Sequence, residues 1–179
     1  MDGFIHTDDH VSLRYTERGA GRPVVFVHGW QGAAEQWRSA AQVLAGECRT
    51  VTYDQRGHGR SHDAPCGWTV HRLAHDLAQL LERLALTDAV LVGHSMGCSV
   101  IWAYLELFGA ARLERLVLVD QAPAMLVDPV WHSACSSRSV KIAPARPIVR
   151  SSHTGSTSIA GAWSTRTRRS RRAAPNSSR

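Results

Sequence analysis

The sequence predicts an α/β fold, with a mostly parallel sheet, flanking helices and an incomplete C-terminal side. Short apolar runs that suit strands alternate along the chain with segments of helical period, which is typical of parallel βαβ units. The run 23–28 is apolar almost throughout, as expected for a strand that is covered on both faces. The alternation stops near Trp131, so no strand is predicted beyond the sixth.

The predicted elements follow one another at short intervals. Six strands are predicted, the first two as an antiparallel pair, at residues 4–7, 11–16, 23–28, 48–53, 89–93 and 116–120. A first helix is predicted at 34–44, and a largely apolar helix at 96–108 is ended by Gly109. A turn punctuated by glycines spans 54–61, directly after the fourth strand.

A further helix is predicted from Thr69 to about Leu84. Threonine is a favoured N-cap residue because its hydroxyl accepts a hydrogen bond from a free N–H of the first turn. The apolar positions follow the helical period, at Val70, Leu73, Ala74, Leu77, Leu81 and Leu84. The opposite face, with Arg72, Asp76 and Arg83, is therefore expected to lie in solvent.

The charge of the chain is divided between two segments. The 179 residues carry a formal net charge of +6. Residues 1–135 hold 11 arginines, no lysine and all 15 acidic residues, whereas residues 136–179 hold nine arginines, one lysine and no acid. In that second segment 35 of 44 residues are Ser, Arg, Ala, Thr, Pro or Gly, a composition that cannot bury a core. We therefore predict a folded domain at 1–132 and a disordered basic tail at 133–179.

Composition also limits the location of the protein. The acidic start at residues 1–9 is unlike a signal peptide, and no apolar run approaches the roughly 20 residues of a membrane span. The four cysteines, at 48, 66, 98 and 135, show no metal-binding spacing. A cytoplasmic protein without a membrane partner or a bound metal is expected.

The segment Gly93-His94-Ser95-Met96-Gly97 carries the chemistry. It is a G-x-S-x-G motif with an apolar strand before it and a helix after it, the context in which the serine becomes a nucleophile. The two glycines leave room where strand and helix come close. The start of the helix directs free N–H groups at the site, so the N–H of Met96 is predicted to stabilise an oxyanion.

Together with three further segments, this motif resembles the α/β-hydrolase superfamily, in its serine-nucleophile branch, over about residues 1–132. The further segments are His28-Gly29-Trp30, residues 54–61 and residues 116–120. The resemblance implies that Ser95 is the catalytic nucleophile and that the N–H groups of Trp30 and Met96 form the oxyanion hole. It implies a small-molecule substrate and neither cofactor nor metal. His28 and His94 are expected to shape loops and not to act as the base.

The resemblance also implies a catalytic acid and a histidine, following the serine in that order. Asp120, after the sixth strand, is a weak candidate for the acid, and Asp128 is favoured as a turn residue. Downstream of Ser95 the histidines are His132 and His153, and neither follows a predicted strand. The chain therefore resembles a hydrolase truncated after the sixth strand, which would be left as an exposed edge prone to aggregation. An out-of-frame origin is a hypothesis for the segment from about residue 136.

The leading functional prediction is an esterase-like serine hydrolase that works through an acyl-enzyme. Alternatives are a truncated non-catalytic fragment and a cofactor-free haloperoxidase-like enzyme. Nucleic-acid binding through the arginines of 166–172 is ranked last, since the rest of the chain is acidic. Haloalkane dehalogenases and epoxide hydrolases that resemble this chain use Asp at the nucleophile position, so Ser95 disfavours both.

Overall fold

A seven-stranded mixed sheet organises the chain in the computed structural model, which describes residues 1–61, 64–120 and 140–144. The strands are β1 Asp2–His6, β2 Ser12–Arg18, β3 Arg22–Val27, β4 Cys48–Tyr53, β5 Ala89–His94, β6 Leu113–Val119 and β7 Val140–Pro144. The α-helices are α1 Arg38–Leu44, α2 Val70–Arg83 and α3 Met96–Phe108. Short 3-10 turns occupy Ala34–Trp37 and Gly59–Ser61.

The strand order is β1-β2-β4-β3-β5-β6-β7. The four central strands, β4, β3, β5 and β6, are parallel to one another, and the strands at both edges are antiparallel. The predicted α/β class with a mostly parallel sheet is therefore confirmed. The carboxyl ends of the parallel strands meet at one edge of the sheet, which is where open α/β sheets bind ligands.

Alternate residues of β3 serve two different cores. Val25 and Val27 belong to the larger cluster, formed with α2 and α3 on one face of the sheet. Val24 and Phe26 belong to a smaller cluster on the other face, with Ala41 of α1. Both faces of β3 are thus covered, as its unbroken apolar run predicted.

The N-terminus of α2 lies where the sequence placed it. Thr69 is the N-cap, and its hydroxyl accepts the backbone N–H of Arg72 at 3.2 Å. The prediction that Asp76 faces solvent is wrong, because this carboxylate is 1% exposed. Arg56, from the loop after β4, covers it with two hydrogen bonds, from Nε at 2.8 Å and Nη2 at 3.0 Å.

Two further expectations are corrected near the ends of the predicted elements. The helix predicted at 34–44 begins as the 3-10 turn Ala34–Trp37 and becomes α-helical at Arg38. The sixth strand is not an exposed edge, since Val140–Pro144 pairs with it antiparallel, Val117 opposite Ile142. These five residues form a strand inside the segment predicted to be disordered.

The remaining residues of the predicted tail, 133–139 and 145–179, lie outside the described part of the chain. The division into a folded domain at 1–132 and a disordered tail therefore stays a prediction. No helix in the described residues is long and apolar enough to cross a membrane.

Candidate active site

Ser95 occupies a single-residue turn between a strand and a helix. It follows His94, the last residue of β5, and precedes Met96, the first residue of α3. Its backbone angles are φ 51° and ψ −121°, a region that residues other than glycine rarely adopt. Such strain persists only where the surrounding structure imposes it, and it concentrates at functional sites.

The two glycines of the motif allow α3 to pack against the sheet at this turn. A Cβ atom at Gly97 would lie 2.3 Å from the carbonyl oxygen of Val27 in β3. A Cβ atom at Gly93 would lie 2.7 Å from Cδ1 of Ile101 and 2.9 Å from the backbone nitrogen of Cys98. Hence both positions exclude any side chain unless the strand and the helix move apart.

The two predicted oxyanion donors lie on segments that meet at Ser95. Met96 is the first residue of α3, so its N–H has no acceptor within the helix and lies at the positive end of the helix dipole. Trp30 lies in the turn after β3, and a Cβ atom at the preceding Gly29 would be 3.2 Å from Cβ of Ser95. The structure thus brings the loop that carries Trp30 against the turn that carries Ser95 and Met96.

His28 is held as a structural residue of that loop. It is fully buried, and its Nε2 accepts the backbone N–H of Gln55 at 3.0 Å. Its Nδ1 therefore carries the proton, which it donates to the carbonyl of Gly29 at 2.8 Å. Burial lowers the pKa of the His28 imidazole. With both ring nitrogens bonded, His28 fixes the loop, as expected, and has no free lone pair for use as a base.

Two residues that sequence reasoning did not single out complete this support. The side-chain amide of Gln55 donates to the carbonyl of His28 at 2.7 Å. The ring of His58 lies edge-on to that of Trp30, with centroids 5.4 Å apart, and 5.1 Å from that of His28. Their position follows from the strand order, because the loops after the neighbouring parallel strands β3 and β4 leave the sheet side by side, and the sequence alone does not show that adjacency.

The candidate acid lies beside the turn. The N–H of Ser95 donates to the carbonyl of Val119 at 3.0 Å, and Asp120 is the next residue, exposed and at φ 58°. Asp120 is thus the first residue beyond β6, next to the end of β5. The other sequence candidates, Asp128, His132 and His153, lie outside the described residues.

No histidine among the described residues is hydrogen-bonded to Ser95. His94 is its neighbour in the chain, but the ring of His94 packs against Gly29. Its buried Nδ1 has no hydrogen-bond partner in the described part of the protein. The described residues therefore include the predicted nucleophile and the predicted oxyanion donors, but no histidine bonded to Ser95.

Cys98 is a second nucleophilic side chain close to the turn. It is completely buried, and its thiol donates to the carbonyl of Val119 at 3.6 Å. Burial raises the pKa of this thiol to about 11, so it stays protonated near neutral pH. Since only a thiolate is strongly nucleophilic, Cys98 is a packing residue of this turn.

Comparison with known proteins agrees with this arrangement. The sequence profile of the family described as "alpha/beta hydrolase fold" matches residues 22–134, more than half of the chain. Among curated proteins, a non-heme haloperoxidase from Rhodococcus erythropolis is 34% identical over 69% of this chain and 46% of its own length. A bifunctional esterase/perhydrolase from Acinetobacter calcoaceticus is 32% identical over 70% of this chain and 46% of its own length.

Solved structures show the same likeness. An esterase from Exiguobacterium antarcticum superposes with a TM-score of 0.66 and 32% identity, covering 69% of this chain and 46% of the esterase. The chain spans about half the length of the curated relatives that it matches. With the profile match, the sheet order and the strained serine turn in agreement, this chain belongs to the α/β-hydrolase fold family.

Proposed function

We propose that the protein is a serine hydrolase that cleaves esters through an acyl-enzyme, with Ser95 as the nucleophile. The observation that carries the proposal is the strained conformation of Ser95, φ 51° and ψ −121°, at the head of a thirteen-residue helix. A serine with no chemical role there would gain nothing from a backbone strain of about 1–3 kcal/mol. Relatives that are named as esterases support the same class of substrate.

The proposed reaction has two steps. Oγ of Ser95 attacks the ester carbonyl as a base removes its proton, and the N–H groups of Trp30 and Met96 hold the resulting oxyanion. The oxyanion collapses, the C–O bond to the alcohol breaks, and the alcohol leaves with the proton. Water then attacks the acyl carbonyl, and the bond between the acyl carbon and Oγ of Ser95 breaks. Ser95 regains its proton, and the carboxylic acid is released.

The acid and base of this reaction are assigned less completely. Asp120 is the candidate for the acid, because it follows the strand whose end is bonded to Ser95. The base is proposed to come from a segment outside the described residues and C-terminal to Ser95, as the family order requires. Without a base the chain would be a non-catalytic fragment, since loss of one triad member leaves only weak residual catalysis.

A second activity is favoured by the names of the relatives. Several are named non-heme haloperoxidases or chloroperoxidases, and one a bifunctional esterase/perhydrolase. In the same acyl-enzyme, hydrogen peroxide could replace water: its oxygen attacks the acyl carbonyl, the bond to Oγ of Ser95 breaks, and a peracid leaves. This chemistry needs no metal or cofactor and uses the same oxyanion donors.

Hydrolysis of a short-chain p-nitrophenyl ester tests the proposal. The 179-residue protein should release p-nitrophenol, and Ser95→Ala should reduce the rate to that of the buffer. Ser39→Ala, on the exposed surface of α1, is the matched control and should leave the rate unchanged. Retention of the wild-type rate by Ser95→Ala would refute the assignment. Peracid formation from acetate and peroxide by the same variants tests the second activity.

A small-molecule substrate and a cytoplasmic location remain part of this proposal. The arginine-rich stretch 166–172, the basis of the nucleic-acid alternative, lies outside the described residues. That alternative predicts binding that weakens steeply with salt and disappears when residues 136–179 are deleted.

A further inference from the structure

A cavity of about 310 Å³ lies between β2, β4 and the segment that leads into α1. Ser95, Met96 and Trp30 do not line it, so it is distinct from the candidate active site. Its lining is mostly polar, and four of the lining residues are arginines. The cavity is therefore a candidate for a second binding site.

The pairing of β1, β2 and β4 brings polar residues together on the floor of the cavity. Asp2 of β1 lies opposite Thr16 of β2, and Thr16 lies opposite Thr52 of β4. In the next row Arg18 lies opposite Thr50. Because side chains alternate along a strand, these polar residues share one face of the sheet. The residues between them, Leu13, Tyr15, Val51 and Tyr53, belong to the core on the other face.

The wall of the cavity that faces the sheet is lined in part by small side chains. The 3-10 turn and α1 place Ala33, Ala34 and Ala41 along the cavity. A helix that covered this part of the sheet with an ordinary core would present larger apolar side chains. The three methyl groups leave room over a polar floor, and this combination distinguishes a cavity for a polar molecule from a packing defect.

The hydroxyl of Thr52 is available to bond to a ligand in the cavity. Thr52 is 6% exposed and lines the cavity, and its hydroxyl makes no hydrogen bond to any described residue. By contrast, the hydroxyl of Thr50 donates to the carbonyl of Arg18 at 3.2 Å, and Thr16 accepts from Arg14 at 3.0 Å. The hydroxyl oxygen of Thr52 is not one of the buried unpartnered polar atoms, so it is reached from the cavity and can bond to a polar group placed there.

The charges that line the cavity favour an anion. Arg14 is paired with Asp2 at 3.2 Å, and Arg38 with Glu35 at 2.9 Å. Arg18 forms no salt bridge with a described carboxylate, although it lies in the floor. Its guanidinium can therefore form a bidentate pair with a carboxylate or a phosphate.

Asp54, the third acidic residue of the lining, does not make the cavity a cation site. Both carboxylate oxygens of Asp54 are occupied, one by the N–H of Ala34 at 2.7 Å and the other by the N–H of Arg60 at 3.1 Å. Asp54 is 4% exposed and acts as a brace between two loops. Its charge is therefore already engaged by two backbone N–H groups.

We propose that this cavity binds a small hydroxylated organic anion. Its carboxylate or phosphate pairs with Arg18, and its hydroxyl groups bond to Thr52 and to the carboxylate of Asp2. The site is separate from Ser95 and does not depend on the proposed hydrolase activity.

Isothermal titration calorimetry on the full 179-residue chain tests this site. The probes are gluconate, glucose 6-phosphate and neutral glucose, at constant ionic strength. Saturable binding of gluconate identifies a carboxylate ligand, and that of glucose 6-phosphate a phosphate ligand, whereas glucose should not bind. Binding of glucose as tight as that of the anions, or of no probe at all, would overturn the proposal.

Two variants and a control make the result specific to the cavity. Arg18→Gln should weaken the binding of the anion about tenfold or more, which is the effect of losing one charge-assisted contact. Thr52→Val should also weaken it without a loss of thermal stability. Arg115→Gln, in β6 outside the cavity, should bind like the wild type. Equal affinity of Arg18→Gln and wild type would contradict the assignment, and unchanged melting temperatures show that both proteins are folded.

Discussion

Gly97 and Val27 approach so closely that a Cβ atom at position 97 would lie 2.3 Å from the Val27 carbonyl oxygen. This contact joins the first turn of α3 to the end of β3. Since α3 begins next to Ser95 and β3 leads directly to His28, one close approach positions both halves of the proposed oxyanion hole.

Gly97→Ala should therefore destabilise the protein by about 1–3 kcal/mol, because an added methyl group in a tightly packed place forces the backbone to shift. Gly46→Ala is the matched control, as a Cβ atom there meets nothing within 4 Å. Urea unfolding of both variants measures the difference. Equal midpoints for the two would show that the contact between α3 and β3 is not tight in solution.

Asp76→Ala should cost about 3 kcal/mol of unfolding free energy, because it leaves the buried Arg56 guanidinium with Asp9 as its remaining carboxylate partner. Glu35→Ala instead breaks an exposed ion pair, between Arg38 and Glu35, whose side chains are 67% and 65% exposed. It should cost at most about 1 kcal/mol. Chemical denaturation compares them. A cost for Asp76→Ala no larger than for Glu35→Ala would disprove the importance of burial.

Stability should fall as the pH is lowered through the range in which carboxylates titrate. Hydrogen bonds from Arg72 and Arg56 hold the pKa values of Asp8 and Asp9 well below their ordinary range in the folded protein. The unfolded chain binds these protons at about pH 4, so the stabilisation is present above that pH and is lost below it. Asp9→Asn should make the pH dependence of the unfolding free energy less steep. An unchanged slope would contradict the prediction.

Gln55→Leu should loosen the loop that carries Trp30. The variant keeps the backbone N–H bond to His28 Nε2 but removes the 2.7 Å bond to the His28 carbonyl. Loss of a bond between buried groups should cost about 1–3 kcal/mol. If the loop also forms the oxyanion hole, ester hydrolysis should slow more than the stability loss explains. Unchanged hydrolysis in a folded variant would place the oxyanion donor elsewhere.

Much of the fold could be predicted because it depends on local pattern. The period of α2, its cap at Thr69 and the apolar run of β3 are properties of neighbouring residues. The burial of Asp76 could not be predicted in that way, since the Arg56 that covers it comes from another loop. Strand β7 was missed because the composition around it gives no strand signal, and it is positioned by the edge of β6.

The candidate site likewise has one part that could be predicted from the sequence and one that could not. Ser95, Gly93 and Gly97 belong to one five-residue motif, which could be recognised because its strand, turn and helix are consecutive in the chain. The roles of Gln55 and His58 arise only when β3 and β4 lie side by side in the sheet. A pattern along one chain contains no direct record of that adjacency, so these supports became visible in the structure alone.

The role of Ser95 as nucleophile can be tested by labelling the 179-residue protein with a fluorophosphonate, followed by mass spectrometry of its peptides. We expect one phosphonylated residue, Ser95, with labelling abolished in Ser95→Ala and kept in Ser39→Ala. Labelling no faster than that of the heat-denatured protein would contradict it, and would leave the chain a hydrolase-fold fragment without a working nucleophile.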